Sequence, residues 1–332
     1  MNPSGPADAA ADGPQPSEAM RAVLQRLAEL RGDAGDRYAM PFEAARRQLL
    51  AERRWWLEEA PAIRTDERTI EVDDGAGGRR ALRLRDYLPG GAGEAPARIV
   101  YLHGGGWCVG SIDTHDGILR RLALASGLPV TGLDYSLAPE HPHPAAARDV
   151  RAVLAALRAG APGGTRWVLG GDSAGAHLAL LEALRARDAG EVPVDALLLW
   201  YGVYRPVGEG ASMRAFGDGR FGLSRAALER YQHAFLGGRP PSEVPDAFPL
   251  GRALHDLPPC WVGAAALDPL LDDSIRLVDA LRAAGAHPEW RRFDGVAHGF
   301  LSYARLLPDA SEAIGAAAAF ARRTAAHRVS GR

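Results

Sequence analysis

The sequence predicts an α/β fold with an open, mainly parallel sheet of eight strands, helices on both faces and a helical cap. Two observations predict the sheet. From Arg98 onward, short apolar runs at 98–102, 129–134, 166–170, 195–201, 260–267 and 289–293 alternate with helical stretches, the pattern of strands buried on both faces by crossover helices. Ahead of them, Thr69 to Val72 and Ala81 to Leu88 read as an antiparallel start to the same sheet. A third observation sets the scale: 332 residues with 47% hydrophobic content can bury one large core.

The elements follow in order. Met1 to Ser17 is rich in Pro, Ala and Asp, with no basic start and no apolar h-region, so it reads as a disordered tail and not as an export signal. No run approaches the length of a membrane span, and the expected compartment is the cytoplasm. Glu18 to Leu30 and Pro41 to Glu59 have amphipathic helical spacing, with Trp55 and Trp56 near the end of the second. Residues 18–66 are therefore expected to form an N-terminal cap segment, and 67–330 the main domain. Between Gly202 and Leu250 the alternation breaks into Gly, Pro and aromatic residues around one helix, Ser224 to Phe235. That stretch, about 202–250, should join the N-terminal helices over the site. No internal repeat is visible.

Composition excludes several chemistries. The formal charge is −2, which carries no global bias toward nucleic acid or acidic partners. All 39 basic residues are Arg, so lysine Schiff bases, the phosphate-loop lysine and Ser-x-x-Lys hydrolases are ruled out. Two cysteines, Cys108 and Cys260, make no disulfide framework in so long a chain, and no metal-ligand spacing appears. No cofactor is expected.

Chemistry concentrates in two short segments. In Gly171-Asp172-Ser173-Ala174-Gly175 the serine follows the apolar run Arg166 to Gly170 and precedes a helical pattern, so Ser173 stands at a strand-to-helix elbow. Such a turn admits only small residues at Gly171 and Gly175 and lifts the serine oxygen above the sheet edge. The Ala174 N–H at the helix start is one natural donor to an oxyanion. His103-Gly104-Gly105-Gly106-Trp107 follows the strand Arg98 to Leu102, and its unshielded glycine amides supply the other two candidate donors, Gly105 and Gly106. A merely flexible loop at 104–106 is the competing reading. His103, ahead of the loop, is expected to hold it by hydrogen bonds.

With these motifs the chain resembles the hormone-sensitive-lipase-like branch of the α/β-hydrolase superfamily, in particular its bacterial esterases and acetyl hydrolases. The resemblance runs from about residue 67 to the C-terminus through His103 to Trp107, Asp134-Tyr-Ser-Leu-Ala-Pro-Glu140, Gly171 to Gly175, Asp268-Pro-Leu270 and Ala297-His-Gly-Phe300, in the family's order. Two positions depart from it: Ser136 stands where Arg is more usual, and Ala176 where a further Gly is common.

In the α/β-hydrolase order the acid and the histidine follow the nucleophile at the ends of later strands. The strand Cys260 to Leu267 ends at Asp268, where Pro269 stops it and leaves the carboxylate on a loop. Asp272 and Asp273 compete, but they begin a helical pattern, where acidic residues ordinarily cap the helix and offset its dipole. Among ten histidines, only His298 follows the acid strand in a small-residue loop; His287 precedes its strand and His327 lies in a polar tail. The expected triad is Ser173, Asp268 and His298. Asp134, Asp149 and Glu140 are expected to be structural hydrogen-bond anchors.

These residues point to hydrolysis of a carboxylic ester through an acyl-serine, and the resemblance implies a short acyl group such as acetyl. Trp55, Trp56, Trp107, Phe216 and Tyr231 are candidate pocket aromatics and Cys108 a candidate pocket neighbour, although aromatic residues at helical spacing also fit plain core packing. The expected partner is a small-molecule ester or acetylated compound, with no nucleic acid and no membrane; a homodimer stays open. Relatives of this architecture also include amide deacetylases, dehydratases and cyclases, and non-catalytic hormone receptors. A receptor can dispense with the histidine, which this chain keeps.

Overall fold

The computed structural model describes residues 13–73, 77–90, 95–191 and 194–326. Eight strands form one sheet in the order β1-β2-β4-β3-β5-β6-β7-β8. β1 (Arg64–Asp73) and β2 (Arg79–Leu88) pair antiparallel, and β2 runs antiparallel to β4 (Val130–Leu133). β3 (Ala97–Leu102), β4, β5 (Arg166–Asp172), β6 (Ala196–Trp200), β7 (Cys260–Leu267) and β8 (Glu289–Ala297) are parallel neighbours.

The period-two alternation of the central strands divides the core into two layers. Leu197 and Leu199 of β6 pack with α4 (Ala145–Ala159), α5 (Ala174–Asp188) and α8 (Leu271–Ala283). Ala196, Leu198 and Trp200 face the other way, toward α3 (Ile112–Ser126), α9 (Pro308–Ala326) and Met20, Val23 and Leu27 of α1 (Glu18–Arg31). Local chemistry sets the helix ends. Ser17 accepts from the Met20 amide at the start of α1, and a Ser111/Thr114 capping box opens α3, which Gly127 closes at φ 65°. Among the described residues no helix is long and apolar enough to cross a membrane.

Five expectations change, the first being the end of β8, which runs past 293 to Ala297. β1 is ten residues long because it is paired with β2 throughout. Arg64 to Thr69 are exposed or half-buried polar residues, and only Ile70 and Val72 present apolar side chains to the core. Ser17 is not in a loose tail: its amide donates to the Gly295 carbonyl (2.9 Å) and Pro16 is buried. Residues 1–12 of the expected tail, and His327, lie outside the described residues. The 202–250 stretch holds two helices, α6 (Ala211–Phe216) and α7 (Arg225–Phe235), not one; α6 is too short to show a helical period. The second N-terminal helix, α2, spans Phe42–Leu57.

Candidate active site

β5 ends at Asp172 and α5 begins at Ala174, so the whole change of direction falls on Ser173, at φ 53° and ψ −118°. A non-glycine residue there stores on the order of 1–3 kcal/mol of strain, which the surrounding structure must hold. The Ser173 amide donates to Trp200 O (2.9 Å), and the His177 amide donates to Ser173 O (3.1 Å). A side chain at Gly171 or Gly175 would run into the Leu102 carbonyl of the neighbouring strand, and at Gly175 into the His103 carbonyl as well. Both positions require glycine for closeness of approach.

Two later strands bring the partners. Asp268 directly follows β7 and is fully buried, while His298 directly follows β8, with Gly299 at φ 76° turning the chain behind it. His298 Nδ1 lies 2.7 Å from Asp268 Oδ2, and His298 Nε2 lies 2.9 Å from Ser173 Oγ. The second Asp268 oxygen accepts the Leu270 amide (2.8 Å). With the Nδ1–H donating to a carboxylate fixed at both oxygens, Nε2 keeps the lone pair that accepts the serine hydroxyl. The Tyr201 ring meets the imidazole edge-on, with centroids 4.9 Å apart.

Asp272 and Asp273 do not cap α8. Asp272 accepts from the Ser212 amide (3.2 Å), and Asp273 from the Tyr204 amide (2.9 Å) and Arg205 Nε (2.7 Å). They tie α8 to the segment after β6, a use that helix-end statistics could not reveal. Burial pushes the Asp273 carboxyl up to about 6, against the pull of these donors. The anchors behave as expected: Asp134 accepts from the Ile112 amide, Asp149 from the Ser136 amide and Arg80, and Glu140 from Arg46.

Facing Ser173, the loop after β3 turns through Gly105 (φ 127°), Gly106 (φ 57°) and Trp107 (φ 60°). It is closed rather than loose, since Gly105 O accepts the Cys108 (3.1 Å) and Val109 (3.0 Å) amides. The Gly104 amide is engaged by Asp172 Oδ1 (3.0 Å) and His115 Nε2 (3.2 Å). Among the described residues the amides of Gly105, Gly106 and Ala174 have no protein acceptor. His103 braces the loop: its Nδ1 lies 2.9 Å from Gly104 O and its ring stacks on Tyr135, whose hydroxyl donates to His103 O (2.8 Å). Burial pushes the His103 imidazole down to about 3, so it stays neutral near pH 7.

Two supports escaped the sequence reading. Asp172, inside the pentapeptide, is buried and accepts from the Tyr101 hydroxyl (2.9 Å) as well as from Gly104. Burial raises its carboxyl, but His115, 3.3 Å away, and these donors outweigh burial and hold it below the ordinary range. His177, one turn into α5, accepts the Trp107 indole N–H (3.1 Å) at Nδ1, and its Nε2 donates to Ala247 O (2.7 Å). Burial pushes its imidazole down to about 3. The one available signal was a histidine in an otherwise apolar stretch of helix.

The cavity above Ser173 and His298 is walled by Gly105, Gly106, Trp107 and Tyr231, and by Met20, Leu24, Leu27, Leu49 and Arg53 of α1 and α2. Trp107 and Tyr231 of the expected pocket set belong to it; Trp55, Trp56, Phe216 and Cys108 do not. Trp55 is held between Arg26 and Arg305, whose guanidinium carbons lie 4.4 and 3.7 Å from the ring centre. Trp56 is buried against Tyr303, Phe216 packs on Phe221, and Cys108 is a buried thiol pushed up to about 12 by burial. The face of α2 that reaches the cavity carries Leu49 and Arg53, one turn apart. Among the described residues no group of three His, Cys, Asp or Glu is placed to hold a metal ion.

Comparison with known proteins agrees with this geometry. The family described as alpha/beta hydrolase fold matches residues 99–302. An acetyl esterase of Salmonella agona is 38% identical over 282 residues, covering 82% of this chain and 84% of the relative. A hyperthermophilic esterase from the archaeon Pyrobaculum calidifontis superposes with a TM-score of 0.83 at 31% identity, over 94% of this chain and 99% of that one. An esterase from the bacterial hormone-sensitive lipase family does so with 0.78 at 28% identity, over 93% and 99%. On the elbow, the ordered acid and histidine and these matches, the chain belongs to the hormone-sensitive-lipase-like branch of the α/β-hydrolase fold family.

Proposed function

We propose that this protein is a serine hydrolase that cleaves carboxylic esters with a short acyl group, acetyl foremost, through an acyl-Ser173 intermediate. The observation that carries the reading is the continuous Asp268–His298–Ser173 chain, with contacts of 2.7 and 2.9 Å, opposite three amides with no acceptor among the described residues. Ser173 Oγ attacks the ester carbonyl carbon while its proton passes to His298 Nε2, and the buried Asp268 carboxylate stabilises the imidazolium. The negative charge that develops on the carbonyl oxygen is met by the N–H groups of Gly105, Gly106 and Ala174. As the tetrahedral adduct collapses, His298 gives the proton to the departing alkoxide and the alcohol leaves. Water then attacks the acyl-serine, loses a proton to Nε2, and the acid departs as that proton returns to Ser173.

The short acyl preference is supported by the likeness to a protein named acetyl esterase and by the bulk of Trp107 and Tyr231 in the wall. Residues 18–66 and about 202–250 act in this reading as the cap that selects the substrate over the 67–330 domain; Met20 and Leu49 from the first and Tyr231 from the second line the cavity. All of these groups come from one chain. The test is Ser173→Ala with p-nitrophenyl acetate: hydrolysis is abolished while circular dichroism and Tm match the wild type. Hydrolysis retained by the folded variant overturns the assignment, and a parallel series of N-acetyl amines separates esterase from deacetylase.

A further inference from the structure

Three arginines reach the wall of the cavity, and two of them share one carboxylate. Arg37 pairs with Glu52 at 2.5 Å and Arg31 with the same carboxylate at 3.5 Å. The third, Arg53, is only 9% exposed, and among the described residues it makes no hydrogen bond and no ion pair; its Nε is buried without an acceptor. Its guanidinium carbon lies 5.1 Å from the ring centre of Tyr303. Among the described residues the only acidic one in the same wall is Asp172, which is already committed to Tyr101, Gly104 and His115.

A guanidinium carries five donors and cannot shed its charge. Burying it unpaired beside a reaction centre is costly unless an anion arrives to meet it. Stacking on Tyr303 holds one face of the group and leaves its N–H edge, the part that matches a carboxylate, free. Because Glu52 already serves Arg31 and Arg37, Arg53 is the guanidinium of this wall left without a carboxylate partner among the described residues.

We infer that Arg53 is a specificity-determining residue and that the natural ester carries a carboxylate, which this guanidinium binds while Ser173 attacks the ester group. The inference rests on the esterase reading. The carboxylate can stand on the acyl side, as in a hemiester of a dicarboxylic acid, or on the alcohol side, as in an acylated hydroxy acid; both present the same group to Arg53.

The test pairs each charged ester with a near-isosteric ketone. Monoethyl succinate is set against ethyl levulinate for the acyl side, and 2-acetoxypropanoate against 3-acetoxybutan-2-one for the alcohol side. Each kcat/KM is measured by pH-stat on the full chain and normalised to that ester's hydroxide-catalysed rate. The wild type prefers at least one carboxylate ester over its ketone by about tenfold or more, the factor a charge-assisted hydrogen bond supplies, and the winning pair identifies the side. Arg53→Met collapses that ratio toward one, and Arg53→Lys restores part of it. A purely structural role through Tyr303 would lower both members of a pair together and leave the ratio unchanged. No preference in the wild type, or a ratio that survives Arg53→Met, overturns the inference, and the wild-type ratio decides alone if the variant does not fold. If the ketone esters are hydrolysed without preference, the esterase reading stands and only the carboxylate falls. If neither these esters nor p-nitrophenyl acetate are hydrolysed, the esterase reading falls and takes the inference with it.

Discussion

Gly105→Ala tests the oxyanion loop with one methyl group. At φ 127° an alanine is strained wherever it points, and its Cβ would overlap the Val109 carbonyl. Val109 cannot simply step back, because its own amide donates to Gly105 O (3.0 Å) beside that of Cys108 (3.1 Å). Relief therefore requires the 105–109 turn to open, which rotates the Gly105 and Gly106 amides away from the oxygen above Ser173. Loss of one donor of this kind costs about 2.7–4 kcal/mol, or roughly 10²–10³ in kcat. The backbone strain adds on the order of 1–3 kcal/mol against folding, a fall in Tm of several degrees. The assay is kcat and KM for p-nitrophenyl acetate beside a thermal melt. The expected result is a kcat lowered at least a hundredfold, with KM changed much less and the fold retained. A folded variant with kcat within threefold of the wild type would refute the assignment of these amides, since the structure leaves no room for the methyl group without moving them.

Asp268→Asn gives a second independent loss. The single amide oxygen can serve the Leu270 amide or the His298 Nδ1–H but not both. If it keeps Leu270, the Asn N–H₂ faces Nδ1 and forces the proton onto Nε2, which then cannot accept from Ser173. The expected fall in kcat is on the order of 10⁴, read with the same ester, and a fall under tenfold would exclude Asp268 as the acid. The pH dependence of stability has a definite sign. His103 and His177, each lowered to about 3 from 6.5, stay neutral in the fold while the unfolded chain takes up protons below 6.5. They are without effect above about pH 6.5 and destabilise as pH falls from there toward 3, by about 2 kcal/mol each at pH 5. Asp273, raised to about 6 from 3.8, works the other way, binding its proton in the fold first and returning about 1 kcal/mol at pH 5. These three groups together give a net loss of roughly 2–3 kcal/mol between pH 7 and pH 5, and His143, also pushed down by burial, adds to it; a gain of stability in denaturant melts over that range would mean that the buried histidines are protonated in the native state.

Much of the fold and of the candidate site is legible along the chain because it is local. The elbow at Ser173 announces itself through Gly171 and Gly175, where a strand, a turn and a helix are written in consecutive residues. Asp268 and His298 are placed by chain order and by the ends of their strands, Pro269 stopping one and Gly299 turning the chain after the other. The alternation that predicts the parallel sheet works because buried strands must be apolar on both faces. Where neither face is buried, as along most of β1, the signal vanishes although the strand is ten residues long.

What the sequence could not decide is which distant groups meet. Asp172 and Gly104 are 68 residues apart, Trp107 and His177 are 70, and nothing near either residue specifies the pairing. Trp55 and Trp56 carry the right chemistry for a pocket, yet the rotation of α2 turns Leu49 and Arg53 to the cavity and leaves the tryptophans to Arg26, Arg305 and Tyr303. Arg53 itself is unremarkable in the sequence, one of 39 arginines. Its meaning depends on Glu52 having been taken by Arg31 and Arg37, a balance of charges set only when α1, α2 and the cavity wall are assembled. The chain alone determined how an acyl group is attacked, because that machinery sits at strand ends with backbone requirements of their own. Which acyl group or alcohol is admitted was left to tertiary structure, because selectivity depends on side chains from separate segments converging on one buried volume.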